Sequence, residues 1–404
     1  MKKVTFILSV LISITITTNA QWIGPSQIAW NNQNIYILAS DGPNIFAGAG
    51  NAGIFLLTND GNNWTAVNTG LPYNSSLCYP NLCYPNVYAF AISGVNIFAG
   101  CDSGVFLSTN NGTLWTTMSN GLPNTDIHAL AISGTNIFAG THNNGVFLST
   151  NNGSNWTAVN TGLIGLGINA LAISGTNIFA GAANNGMYLS SNNGGNWTAI
   201  NNGLTNIDVH TIAISGANIF AGTSGGVFLS TNNGALWTAA NTGLTNTVNC
   251  LLINGTNIFA GTDNGVFYSN NNGSSWTSIS DGFPANTLVF TLAISGTNIF
   301  AGVHTDLWRR TLSEIVGISE TNSDNLDFSI FPNPASDIVT LNINNLINAD
   351  LSLNIYNETG SLVKSEMLKQ NHRQINIGDL SNGVYMVEIK SKEWTGKQKL
   401  IIQR

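Results

Sequence analysis

Charge is what this chain mostly lacks: Asp, Glu, Lys and Arg together make up only 8% of its 404 residues. Between Gln21 and Arg310 there is no Lys and no Glu, only Arg309, Arg310 and eight Asp. A surface without clustered basic residues cannot neutralise a phosphate backbone, which excludes nucleic acid as a partner. Attraction to anionic membrane surfaces fails for the same reason. Long apolar runs are missing as well. Lys2 and Lys3 precede a short apolar stretch from Val4 to Ile16, followed by Thr18-Asn19-Ala20. That is the layout of a secretory signal peptide, expected over residues 1–20. The stretch is too short to span a bilayer, and nothing later approaches about 18 uninterrupted apolar residues, so the mature chain should have no transmembrane segment.

Cysteine is scarce: Cys78, Cys83, Cys101 and Cys250. An oxidising compartment permits disulfides, but four cysteines do not define a pairing. Cys250 stands where other repeats carry Ala or Thr and reads as a small core residue. Cys78 and Cys83 lie in a tandem duplication, Leu77-Cys-Tyr-Pro-Asn and then Leu82-Cys-Tyr-Pro-Asn. It reads as an insertion in a tolerant loop, with a bridge among Cys78, Cys83 and Cys101 as the alternative.

What the chain has in quantity is repetition. Asn-Ile-Phe-Ala-Gly begins at Asn44, Asn96, Asn136, Asn177, Asn218, Asn257 and Asn298. A full unit runs Ile127 to Ser133, Gly134 to Thr141, Gly145 to Gly153 and Trp156 to Leu163: four short β-type runs divided by Gly and Asn turns. A period of about 40 residues with four strands per unit predicts an all-β chain built on a β-propeller, with a β-solenoid as the alternative. Small residues suit the crowded axis, such as Ala129, Ala131, Ala170 and Ala172, and Trp suits the wide periphery.

The blade count follows from spacing. Trp64, Trp115, Trp156, Trp197, Trp237 and Trp276 each trail a repeat phenylalanine by 17 or 18 residues, and none stands at that offset after Phe300. Trp22, upstream of the first repeat at the usual Trp-to-Phe distance, supplies the missing strand. The expectation is seven blades, the last closed by the N-terminus, which hides two sheet edges.

One position varies while its surroundings repeat. After the first Ile or Val of each unit come Tyr36, Tyr88, His128, Asn169, His210, Asn249 and Phe290. Loops on the same rim add Asp102, His142, Asp263, His304 and Asp306. Diversity gathered on one rim is what a ligand-binding surface would look like; rim residues free of constraint would look the same. Asp126 and Asp208 precede His128 and His210 by two residues, but the pairs fall two blades apart, so neither a metal nor any other cofactor is expected.

The run Ser149-Thr-Asn-Asn-Gly153-Ser-Asn-Trp156, repeated at Ser108, Ser190, Ser230 and Ser269, resembles the Asp-box of sialidase-type (BNR-like) propellers, with Asn110, Asn151, Asn192, Asn232 and Asn271 in place of Asp. Asn can still accept backbone N–H bonds within its turn, so the box reads as a folding device. The resemblance implies sialidase chemistry, which requires three arginines and a Tyr–Glu pair. This propeller has two arginines and no Glu, so that activity is excluded. Asp-box glucanases use two Asp as acid and base, and Asp102, Asp126, Asp208, Asp263 and Asp306 are candidates for that alternative. Catalytic residues are otherwise not expected.

Residues 311–327 are polar and read as a linker. Beyond them, Phe331-Pro-Asn-Pro-Ala-Ser-Asp337, Asp379-Leu-Ser-Asn-Gly-Val-Tyr385 and Lys399-Leu-Ile-Ile resemble the type A C-terminal sorting domain of the type IX secretion system of Bacteroidota. That resemblance implies a small β-sandwich over 328–404, engagement with the type IX machinery, and anchoring at the cell surface or release. The whole reads as a signal peptide, a propeller over 21–310, a linker and a sorting domain: a secreted, non-catalytic binding module for a glycan or protein ligand.

Overall fold

The computed structural model of the chain describes residues 21–24, 33–58, 64–73, 84–123, 126–315, 328–333, 335–343, 351–357, 361–368, 374–390 and 395–403. The expected signal peptide, Cys78, Cys83 and most of the expected linker lie outside them. Two compact units divide the chain, Met1–Val316 and Gly317–Arg404.

Seven antiparallel sheets make up the first unit. Blades one to six each carry four strands in chain order; blade three, for example, is Ile127–Ser133, Asn136–Thr141, Val146–Ser149 and Thr157–Ala158. Blade seven has three, Val289–Ser295, Asn298–Val303 and Asp306–Thr311. Its outer edge is completed by the N-terminus. Ile23 bridges Arg309 in antiparallel fashion, the two exchanging N–H···O bonds of 2.8 and 3.0 Å.

The repeated pentapeptide is explained by where its strand sits. It forms the second strand of every blade, pressed by neighbouring blades on both faces, so Ile137, Phe138 and Ala139 are all buried despite pointing to alternate sides. Its Gly packs directly against the first strand of the next blade. A Cβ on Gly181 would stand 2.6 Å from Val209, and one on Gly302 would stand 2.8 Å from Ile35, closing the ring from blade seven to blade one. The tightest constraint near the axis therefore falls on this Gly, beyond the first-strand alanines. Gly181→Ala should cost about 1–3 kcal/mol in urea unfolding, the usual range for overpacking. Gly175→Ala is no substitute control, because that residue has φ +59°.

A tryptophan staples two blades at six of the seven junctions between blades. It stands one residue before the fourth strand in blades two to six, and its indole N–H donates to a backbone carbonyl of the preceding blade: Trp156 to Met118 at 2.6 Å, Trp197 to Val159 at 2.7 Å. Trp22 does the same to Ile279 at 2.7 Å, and its backbone N–H reaches Asp281 at 2.7 Å. Arg310 Nη1 donates to the same Ile279 carbonyl at 2.8 Å. One of the two propeller arginines is thus committed to joining blades six and seven.

The box turns also behave as read. Ser149 Oγ donates to Asn151 Oδ1 and accepts from the Gly153 N–H, while Asn151 Oδ1 accepts the Asn155 N–H at 2.9 Å. An amide oxygen does the work of the carboxylate. Cys101 and Cys250 are free thiols, Cys101 fully buried, and burial pushes the Cys250 thiol up to about 12.

In the second unit, a three-stranded sheet (Phe328–Phe331, Ile338–Ile343, Gln374–Asn376) and a four-stranded one (Leu362–Leu368, Leu351–Tyr356, Gly383–Lys390, Thr395–Ile402) share one core. Val339, Leu341 and Ile375 meet Leu353, Val387 and Ile389 there. This is a small β-sandwich. Among the described residues no helix is long and apolar enough to cross a membrane.

Candidate functional site

In every blade the first strand slips register by one residue. Ile35 pairs with Ala49 and Ile37 with Gly48, leaving Tyr36 unpaired; the same irregularity skips Tyr88, His128, Asn169, His210, Asn249 and Phe290. The variable position of the repeat is a β-bulge. A bulge frees its residue from the pleat and re-aims the side chain. Here all seven line a single cavity of about 240 Å³. The structure brings together every residue of the predicted ring.

The ring has two halves. From blade seven to blade three it is aromatic: Phe290 meets Tyr36 edge-on at 5.6 Å, Tyr36 lies 5.2 Å from Tyr88, and Tyr88 lies 4.9 Å from His128. Across blades four to six it is amide and imidazole. Asn169 and Asn249 donate to the backbone carbonyls of Val209 and Val289 in the next blade, at 3.0 and 3.2 Å. These bonds hold the amides in place before any ligand arrives.

Burial, reinforced by Asp126 and Asp102, pushes the Tyr88 phenol upward, so it stays neutral. Burial together with His142 pushes the His128 imidazole down, leaving it uncharged near neutral pH. A mouth lined by aromatic, imidazole and amide side chains, with no Lys, Arg, Asp or Glu among them, offers hydrogen bonds and flat faces.

A second row of variable residues surrounds the bulges, and sequence reasoning caught only part of it. In blades one to six the residue before the first strand pairs with the residue after the second through a backbone bond; Asn86 with Asp102, Asp126 with His142, Asp208 with Ser224 and Thr247 with Asp263 do so at 3.0–3.3 Å. Asn86, Ser224 and Thr247 were missed. Their signal was available, because they align with Asp126 and Asp208 and with His142 in the repeat.

On blade five this row meets the ring. Ser224 Oγ donates to Asp208 Oδ2 at 2.6 Å, and His210 Nε2 lies 3.1 Å from Asp208 and 3.0 Å from Ser224. Burial raises the Asp208 carboxyl, but the Ser224 and His210 hydrogen bonds outweigh it and hold it below its usual range. The residue types of a hydrolytic triad are present, but one ring nitrogen serves both partners. A relay needs the carboxylate on the other nitrogen, so this cluster orients His210 and does not activate Ser224. Among the described residues no group of three His, Cys, Asp or Glu could hold a metal.

Two overlapping stretches, residues 86–207 and 187–306, match the model of the DUF6242 beta propeller domain, together more than half of the chain. The chain belongs to the DUF6242 β-propeller family. Residues 329–403 of this DUF6242 propeller protein match the secretion system C-terminal sorting domain. No curated protein matches it. Among solved structures it is similar to PorZ, a surface component of the type-IX secretion system of Porphyromonas gingivalis, at 14% identity and TM-score 0.55 over 92% of this chain and 59% of that one. The GH74 xyloglucanase of Xanthomonas campestris gives 13% identity and TM-score 0.57, over 80% and 59%. YCF48 from Cyanidioschyzon merolae gives 14% and 0.54, over 72% and 99%. The chain spans about three fifths of the first two, and at such identities the likeness is one of fold. The DUF6242 propeller protein is a secreted propeller with a type IX sorting tail.

Proposed function

We propose that this protein is a non-catalytic binding module at the cell surface whose ligand, a neutral glycan or a weakly charged protein segment, lies across the channel mouth. The mature propeller is taken as 21–310, joined through 311–327 to a sorting domain at 328–404 that engages the type IX machinery. One observation carries the binding reading: seven bulges, one per blade, turn the variable residues Tyr36, Tyr88, His128, Asn169, His210, Asn249 and Phe290 into one cavity. Asp126 and Asp208 flank the ring; Asp208 braces His210 at 3.1 Å, and Asp126 lies close enough to His128 to favour its charged form. With little charge at the mouth, binding should change little with salt.

The glycan-cleaving reading draws support from Asp102 and Asp126, which act from adjacent blades on the same Tyr88 phenol. Against it, a glycosidase needs one carboxyl kept protonated beside a second carboxylate. Burial does raise the Asp306 carboxyl, but no other carboxylate is among the residues lining its cavity.

Replacing Tyr88, His128 and His210 together by Ala should abolish binding of the ligand held across the channel mouth, identified in a screen of neutral glycans and uncharged peptides. The melting temperature should barely move, because all three side chains are only half-buried at the mouth. No binder for the wild type, or an unaffected triple variant, would contradict the assignment.

A further inference from the structure

Blade seven departs from the repeat at its third strand, and a cavity opens there. Where the hairpin enters that strand, other blades place a Gly (Gly53, Gly104, Gly186, Gly226, Gly265), but Val303 pairs with Asp306. Each of those glycines abuts an Asn or Ser side chain that fills the corner. In blade seven Asp306 itself caps the strand, its Oδ1 accepting the Leu307 N–H at 2.7 Å. The preceding turn holds Thr305 at φ +71°, a left-handed conformation that a β-branched residue adopts at a cost and that clusters at functional sites.

Two residues later Trp308 takes the register at which other blades carry Phe55, Phe106, Phe147 or Phe228. Gly24 covers it closely, and Phe283 packs at 5.2 Å. The loop from blade six to blade seven is also longer, five residues (Pro284 to Leu288) against three (Thr245 to Thr247) one blade earlier. Together these enclose about 510 Å³ lined by that loop, His304, Thr305, Asp306 and Trp308. The size is that of a small-molecule site. No Lys or Arg lines it.

We infer that this cavity is a carbohydrate site for one or two neutral sugar units, with Trp308 as the stacking platform and Asp306, Asn286 and Thr287 as hydrogen-bonding partners. A half-buried indole offers the flat apolar face that the C–H side of a pyranose packs on. A carboxyl already oriented by its own backbone can receive paired hydroxyls, and burial keeps its proton affinity above the usual carboxylate range. Without a cation, acidic sugars are disfavoured. The site stands on blade seven and does not depend on the ring: no bulge residue lines it.

The test is tryptophan fluorescence titration of the full mature chain with cellobiose, maltose and lactose, checked by calorimetry. At least one disaccharide should bind saturably. Trp308→Phe, which installs the side chain other blades already accommodate, should weaken that binding roughly 10-fold with an unchanged melting temperature, and Trp308→Ala should abolish it. The Tyr88, His128 and His210 triple variant should bind as wild type does, which separates this site from the ring. Saturable binding of none of the three sugars, or equal affinity in Trp308→Phe, overturns the inference.

Discussion

Deleting residues 328–404 should leave a folded propeller inside the cell envelope, with almost none at the surface. The propeller's seven core clusters draw every residue from the first unit, and the tail's cluster draws every residue from the second. Neither core needs the other to be complete, so truncation should not unfold what remains. What it removes is the sorting domain matched over 329–403, the part that addresses the chain to the type IX machinery. Protease added to intact cells should then fail to reach the propeller until the outer membrane is opened. Surface levels equal to wild type would sink the sorting assignment.

Trp22→Ala should cost roughly 3–5 kcal/mol, among the largest single-residue losses expected in the propeller. The side chain is 2% exposed, stacks on Phe283 at 4.8 Å and bonds to Ile279. Removing it empties the blade six to seven interface and unpins the strand that closes the ring. Open edges would then appear on blade seven. Trp197→Ala, at the equivalent place inside the repeats, should cost a similar amount in denaturant unfolding. A Trp22 cost below about 1 kcal/mol would place that residue outside the blade.

Much of the fold was legible because the repeats report the same packing problem seven times. The invariant Gly marks contact between blades, the Trp marks the staple, and the absence of a Trp 17 or 18 residues after Phe300 pointed to Trp22. The bulge was not legible. It is an event of register, and Ile127-His128-Ala129 looks like any alternating strand until its partner is known. The variable residues were identified without the reason they converge. The blade-seven cavity was missed for a different cause: it arises from differences between repeats, Asp306 for Gly and two extra residues before Val289, which a search for similarity passes over. His304 was seen only as a rim residue, and Asp306 as a rim residue and a candidate of the glycosidase alternative.

The central claim is that the ring binds and does not cut. The most direct measurement takes the ligand found in the screen, titrates it against wild type and the Tyr88, His128 and His210 triple variant, and follows its mass throughout. Saturable binding by wild type, none by the triple variant, and a ligand of unchanged mass after long incubation is the expected result. A ligand that shortens, or a triple variant that binds as wild type does, would contradict the claim.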